Sequence, residues 1–140
     1  MDGAAVEIRL VRQLSTLDPE AWNALGRGGD PFLRHEFLSG LEQHGCLDGH
    51  GWDPVHLVAE RDGTLVGALP LYLRDNSYGE FVFDWSWAEA FERAGGRYYP
   101  KLVTAVPFTP CAGERLLLRP DDPAAPAVAA ALRDAALALA

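Results

Sequence analysis

Two carboxylates in an aromatic setting are the residues of this chain best suited to chemistry. Glu80 and Asp84 bracket the apolar triplet Phe81-Val82-Phe83. In an extended chain, a spacing of four places both on one face. Desolvation in an aromatic pocket raises the proton affinity of a carboxylate, which can then take a proton from an amine. The surroundings suit this. Residues 77–110 hold nine of the fourteen aromatic residues, Tyr78, Trp85, Trp87, Tyr98 and Tyr99 among them. The same stretch holds Lys101, the one lysine beside eleven arginines. Large apolar rings with polar handles, set among charges, describe a cleft with polar groups in an apolar wall. A core segment with a charged rim, its carboxylates satisfied by Arg93, Arg97 or Lys101, is the plainer alternative.

Other chemistries find less support. His35, His44, Cys46, His50 and His56 fall close together, but in none of the usual metal-ligand spacings. They read as surface histidines on a helix end and a loop. No Gly-x-Ser-x-Gly elbow occurs, and neither Cys46 nor Cys111 has a histidine of evident purpose beyond His44. The glycine turns at Gly95-Gly96 and Gly113 match no nucleotide-binding fingerprint. Gly113, between a strand and a later helix, is a weak candidate for anion binding.

The elements that must position these groups follow from local pattern. Residues 6–11 alternate apolar with charged, as a half-buried strand does. Asp-Pro pairs at Asp18-Pro19, Asp30-Pro31 and Asp122-Pro123 are helix starts, with the aspartate capping and the proline in the first turn. The second of these helices is expected to run unbroken to about His44. Asp62-Gly63 between apolar runs predicts a hairpin. Its second arm, residues 64–74, is apolar on both faces and therefore central. Pro70 within it predicts a bulge or a switch of pairing. Residues 80–83 read as a short strand and residues 85–94 as a helix with Trp87, Ala90, Phe91 and Ala94 on its apolar stripe. Residues 102–108 read as a strand that residues 115–118 extend or flank. The last helix, from Ala127 on, is apolar nearly all round and should be covered on most sides.

A chain of 140 residues at 49% apolar and 23% charged content reads as one globular domain, residues 1–140. A net charge of −8 with scattered basic residues argues against binding DNA. No apolar run is long enough to span a bilayer. The N-terminus has no signal-peptide pattern, so the expected compartment is the cytoplasm. Two cysteines form no disulfide framework and read as buried or half-buried thiols. The chain stops inside a helix, which suggests the N-terminal part of a longer domain and leaves an open sheet edge through which two copies could pair.

The stretch SYGEFVFDWSWAEAFERAGGRYYPKLVTAVPFTP, with PFLRHEFLSGLEQHGC and LVGALPLYLR before it, resembles the FemAB-like peptidoglycan biosynthesis/recognition family, over residues 31–118. Members resemble the aminoacyltransferases that build cell-wall cross-bridges and belong to the broad GNAT acyltransferase superfamily. The resemblance implies an α/β class fold, a mixed central sheet with helices on both faces. It implies an N-acyltransferase using acyl-CoA or aminoacyl-tRNA, acting on a small-molecule or cell-wall-precursor amine. On that reading Glu80 or Asp84 is the base, Lys101 holds an anionic group, and Tyr78, Trp85, Trp87, Tyr98 and Tyr99 shape the pocket. The Arg/Gln-x-x-Gly-x-Gly/Ala loop that many GNAT enzymes use for the cofactor pyrophosphate is absent, which favours the rival reading, a recognition or scaffold domain derived from an acyltransferase half.

Overall fold

The computed structural model describes residues 5–76 and 84–140. Tyr78, Glu80 and the short strand expected around them lie outside the described residues. The chain opens with β1 (Glu7–Val11) and a 3-10 turn at Leu14–Thr16. Helix α1 (Pro19–Asn23) starts as expected, the Asp18 carboxylate accepting from the Ala21 N–H at 3.0 Å.

The second Asp-Pro start also caps, Asp30 accepting from the Phe32 N–H at 2.9 Å, but the helix expected from it is broken. Pro31–Leu33 is a 3-10 turn, Arg34 is extended (φ −69°, ψ 146°), and α2 covers only His35–Gln43. The reason is tertiary. The buried Trp22 indole of α1 donates to Leu33 O at 2.9 Å, and Asn23 Oδ1 accepts from the His35 N–H at 2.8 Å. Helix α1 thus claims a carbonyl and an amide that an unbroken helix would need for itself.

A single long hairpin forms the spine. Its outer arm is β2 (Trp52–Pro54) then β3 (His56–Arg61), and its inner arm is β4 (Thr64–Leu69) then β5 (Tyr72–Arg74). Asp62 and Gly63 turn it, with φ of 53° and 77°, the mirror-type turn that strand twist favours. Leu57 lies opposite Leu69 and Pro54 opposite Tyr72, so one register runs from Trp52 to Ala59 on the outer arm, and it shifts by one residue between Ala59 and Glu60, toward the turn. The Val55 N–H donates to Leu71 O at 2.9 Å across the middle. There, at Pro70, the arm changes sheets, as the missing N–H of proline requires.

Beyond the hairpin lie α3 (Trp85–Arg93), β6 (Lys101–Val103), β7 (Leu117–Leu118) and α4 (Ala125–Leu139). The described strands form two sheets, ordered β1-β3-β4-β7 and β2-β5-β6. Every described pair is antiparallel, in place of the single mixed sheet the resemblance implies. Strand β6 pairs with β5 and β7 with β4, so both lie on the inner arm of the hairpin. Residues 104–116 leave the sheet between them. The strand expected over residues 102–108 therefore ends at Val103, and pairing resumes only at Leu117.

Helices cover both faces of the larger sheet, as expected. On one, Trp22, Leu25, Leu33 and Leu38 pack on Val58, Leu65 and Ala68. On the other, Val128 and Leu132 of α4 pack on Leu57, Ala59, Val66 and Leu69. Helix α4 is covered along this stripe and not on most sides: Leu137 is 68% exposed. Helix α3 departs further, since none of its residues is buried and Trp87 is 75% exposed.

Two histidines are structural and buried, not on the surface. His35 Nε2 donates to Leu14 O at 2.6 Å. His56 Nδ1 accepts from the Leu71 N–H at 3.1 Å, which leaves Nε2 as the donor to Glu42 Oε2 at 2.8 Å. Glu42 Oε1 accepts from the Leu14 N–H at 2.8 Å, tying α2 to two neighbours. His44 and His50 are exposed, and so is Cys46, which was expected to be at least half buried.

Candidate functional site

A cleft of about 490 Å³ opens where residues 104–116 leave the sheet. Its floor is a row across the smaller sheet. Trp52, Arg74 and Lys101 are directly paired on β2, β5 and β6, so their side chains share one face. All three line the cleft. Arg74 is 1% exposed, donates to His50 O at 2.6 Å, and stacks its guanidinium 4.2 Å over the Trp52 ring. Its burial is tolerable because the aromatic face and the carbonyl replace water.

Asp84 and the lysine meet at the cleft wall. Asp84 precedes α3 in the capping position but makes no side-chain cap. Its carboxylate accepts instead from the Tyr98 hydroxyl at 2.8 Å, from the Tyr99 hydroxyl and from Lys101 Nζ. The ammonium also donates to Tyr98 Oη at 3.0 Å and sits 4.4 and 5.2 Å from the centres of the Tyr98 and Tyr99 rings. Partial burial pulls the Lys101 pKa down, but the hydrogen bonds and charge of Asp84 and Tyr98 outweigh it, and the net shift is upward. Lys101 is therefore a cation at neutral pH.

The opposite wall comes from the excursion. Ala105 and Val106, next to Val103 at the end of β6, give apolar surface, and Thr109, Cys111 and Arg115 give polar groups. Arg115 donates to the backbone carbonyls of Glu114 and Cys111, both at 2.8 Å. Phe108 holds a positive φ of 62°, unusual for an aromatic residue. Its ring packs edge-on against Trp52 and His50 at 5.9 and 5.7 Å, contacts that fix the bend.

A model of the FemAB-like family, described as peptidoglycan biosynthesis/recognition, matches residues 13–140. The chain belongs to the FemAB-like family. No curated protein and no solved structure matches it.

This FemAB-like chain brings together four of the residues expected at its site. Asp84 and Lys101 line the cleft, and Tyr98 and Tyr99 join through Asp84. Trp85 and Trp87 sit on the exposed helix α3 and are not part of the cleft wall. Tyr78 and Glu80 fall outside the described residues. Arg74, Trp52, Thr109 and Arg115 were missed. Arg74 closes a strand apolar on both faces, where an arginine is anomalous, and that signal was readable. Arg115 lies two residues past Gly113, the weak anion candidate. Among the described residues no histidine, cysteine and carboxylate cluster could hold a metal ion, and no helix is long and apolar enough to cross a membrane.

Proposed function

We propose that this FemAB-like chain carries the acceptor side of an N-acyltransferase that passes an acyl or aminoacyl group to an amine of a cell-wall precursor. The observation that carries the reading is Asp84 in the cleft, the one acidic residue among the described lining. In the proposed step the amine nitrogen attacks the acyl carbonyl, and a new C–N bond replaces the thioester or ester bond of the donor. The amine proton passes to Asp84 and from there to the departing thiolate or alkoxide, which leaves as the thiol or hydroxyl and restores the carboxylate. Lys101, Tyr98 and Tyr99 orient the carboxylate and balance its charge. Lys101 is thus a positioning residue, its ammonium already held by Asp84. The apolar wall supplied by Val103, Ala105 and Val106 keeps water from competing with the amine.

A second reading, recognition of the precursor without transfer, has its own support. The Asp84 carboxylate already accepts three hydrogen bonds, which suits a binding group better than an open base. One assay separates the two. A soluble muropeptide with a free side-chain amine is incubated with acetyl-CoA or with aminoacyl-tRNA, and products are followed by mass spectrometry. Transfer from either donor is expected, falling on the order of a hundredfold in Asp84→Asn while the melting temperature drops by no more than a few degrees. Transfer unaffected by Asp84→Asn sinks its role as base. Muropeptide binding without transfer from either donor establishes recognition instead.

A further inference from the structure

The charge of the cleft runs against the charge of the molecule. The chain carries −8 overall, yet the described lining holds Arg74, Lys101 and Arg115 against Asp84 alone. Low-dielectric walls concentrate such a field on whatever enters. The three cations are not equivalent. Lys101 is neutralised by Asp84. Arg74 is buried within the sheet row, stacked on Trp52 and bonded to His50 O.

Arg115 differs from both. The residue is half-buried, and its guanidinium is held by two neutral carbonyls, Glu114 O and Cys111 O. The nearby carboxylates are engaged elsewhere. Glu114 accepts from the Arg27 N–H at 2.7 and 3.2 Å, and Asp30 from the Phe32 N–H at 2.9 Å. Among the described residues no carboxylate pairs with Arg115. The two carbonyls fix the plane of the fork but cancel none of its charge, and the remaining N–H donors are left for a ligand. A planar fork with a fixed orientation matches the two oxygens of a carboxylate or phosphate.

We propose that Arg115 is an oxyanion-binding residue of this cleft, taking a carboxylate or phosphate group of the bound molecule. The proposal rests on reading the cleft as a substrate site, but not on acyl transfer taking place there. It also assigns a purpose to the 104–116 excursion, which carries Arg115 from the strand line to the cleft wall.

The test is calorimetric titration of two probes into the whole chain: inorganic pyrophosphate, and an N-acetylated dipeptide with a free C-terminal carboxylate. Each is repeated with Arg115→Gln and Arg115→Lys. Binding of at least one probe is expected, weakening as salt rises. Arg115→Gln should lower affinity at least tenfold, and Arg115→Lys should restore part of it, with melting temperatures unchanged. Preference for pyrophosphate identifies a phosphate ligand, and preference for the dipeptide a carboxylate. Should Arg115→Gln unfold, the wild-type arginine is read through its neighbour. In a Cys46→Ser background, the bound probe should slow alkylation of Cys111, which lines the same cleft. Failure of both probes to bind at millimolar concentration, or equal binding by wild type and a folded Arg115→Gln, overturns the proposal. So does Cys111 alkylation that neither probe slows. Arg115-dependent binding in a protein that transfers nothing would sink the acyltransferase reading alone.

Discussion

Asp84 occupies a helix-capping position without capping. An aspartate there normally accepts from the first free amides of the helix, an interaction worth about 1 kcal/mol. In this chain the carboxylate turns to Lys101 and two tyrosines, and α3 begins without that support. The diversion is a residue-scale sign that the cluster is under a demand other than stability. The pair itself is modest, because both partners keep some contact with water, and Lys101→Met should cost about 1 kcal/mol or less at neutral pH. Its pH dependence has a definite direction. The Lys101 pKa is raised on folding, so its contribution is complete below the ordinary lysine value, about 10.4, and fades as pH rises through the folded value. Urea titrations should show a constant gap between wild type and Lys101→Met from about pH 7 to 9 that narrows as pH rises past the ordinary lysine value. A gap that persists there would mean the side chain acts through packing. The sequence had offered Lys101 as one of three partners for the carboxylates, beside Arg93 and Arg97, without choosing among them. The sequence placed Asp84, Tyr98, Tyr99 and Lys101 in one stretch, but which carboxylate met the lysine depended on how the chain turned after α3.

At the scale of elements, the contact between β4 and α4 is the tightest test of the packing. Gly67 lies directly under Val128 and Leu132. A Cβ built there would stand 2.7 Å from Val128 Cγ1 and 3.2 Å from Leu132 Cδ1. Its backbone is ordinary, so the constraint is space alone. Gly67→Ala should therefore destabilise by about 1–3 kcal/mol, the usual cost of overpacking, although alanine suits a strand better than glycine. Adding Val128→Ala should recover part of that loss, measured as non-additivity in a double-mutant cycle. Simple additivity would show that α4 shifts freely on the sheet. Helix starts and the hairpin turn were readable here because each rests on neighbours in sequence: Asp18, Asp30 and the Asp62-Gly63 pair act within two or three residues. The break at Arg34 was not, because Trp22 and Asn23 reach it across a loop. The exposed face of α3 was unreadable for the same kind of reason. Periodicity gives a helix an apolar stripe but does not supply a partner for it.

Across the whole molecule, stability should be uneven. Strands β3 and β4 are covered on both faces, whereas α3 buries nothing. Amide hydrogen exchange should accordingly be slowest in residues 57–59 and 65–69 and faster by orders of magnitude in residues 88–93, where hydrogen bonds lie open to water. Equal protection in both would mean that α3 is covered in solution by something that conceals its aromatic face. The sequence by itself determined the capped starts at Asp18 and Asp30, the mirror-type turn, the central place of residues 64–74 and the change of pairing at Pro70; the start expected at Asp122-Pro123 moved on to Ala125, where α4 has no side-chain cap. Each is set by backbone sterics or by a local donor and acceptor. It also placed the chain in its family through the aromatic stretch. Tertiary structure alone decided that β6 and β7 share one arm of the hairpin, and that the thirteen residues between them leave the sheet. It decided too that Trp52, Arg74, Lys101 and Arg115 face one cleft. Those residues lie as many as 63 positions apart, and no periodicity spans that distance. Only strand register and the path of the excursion bring their side chains together.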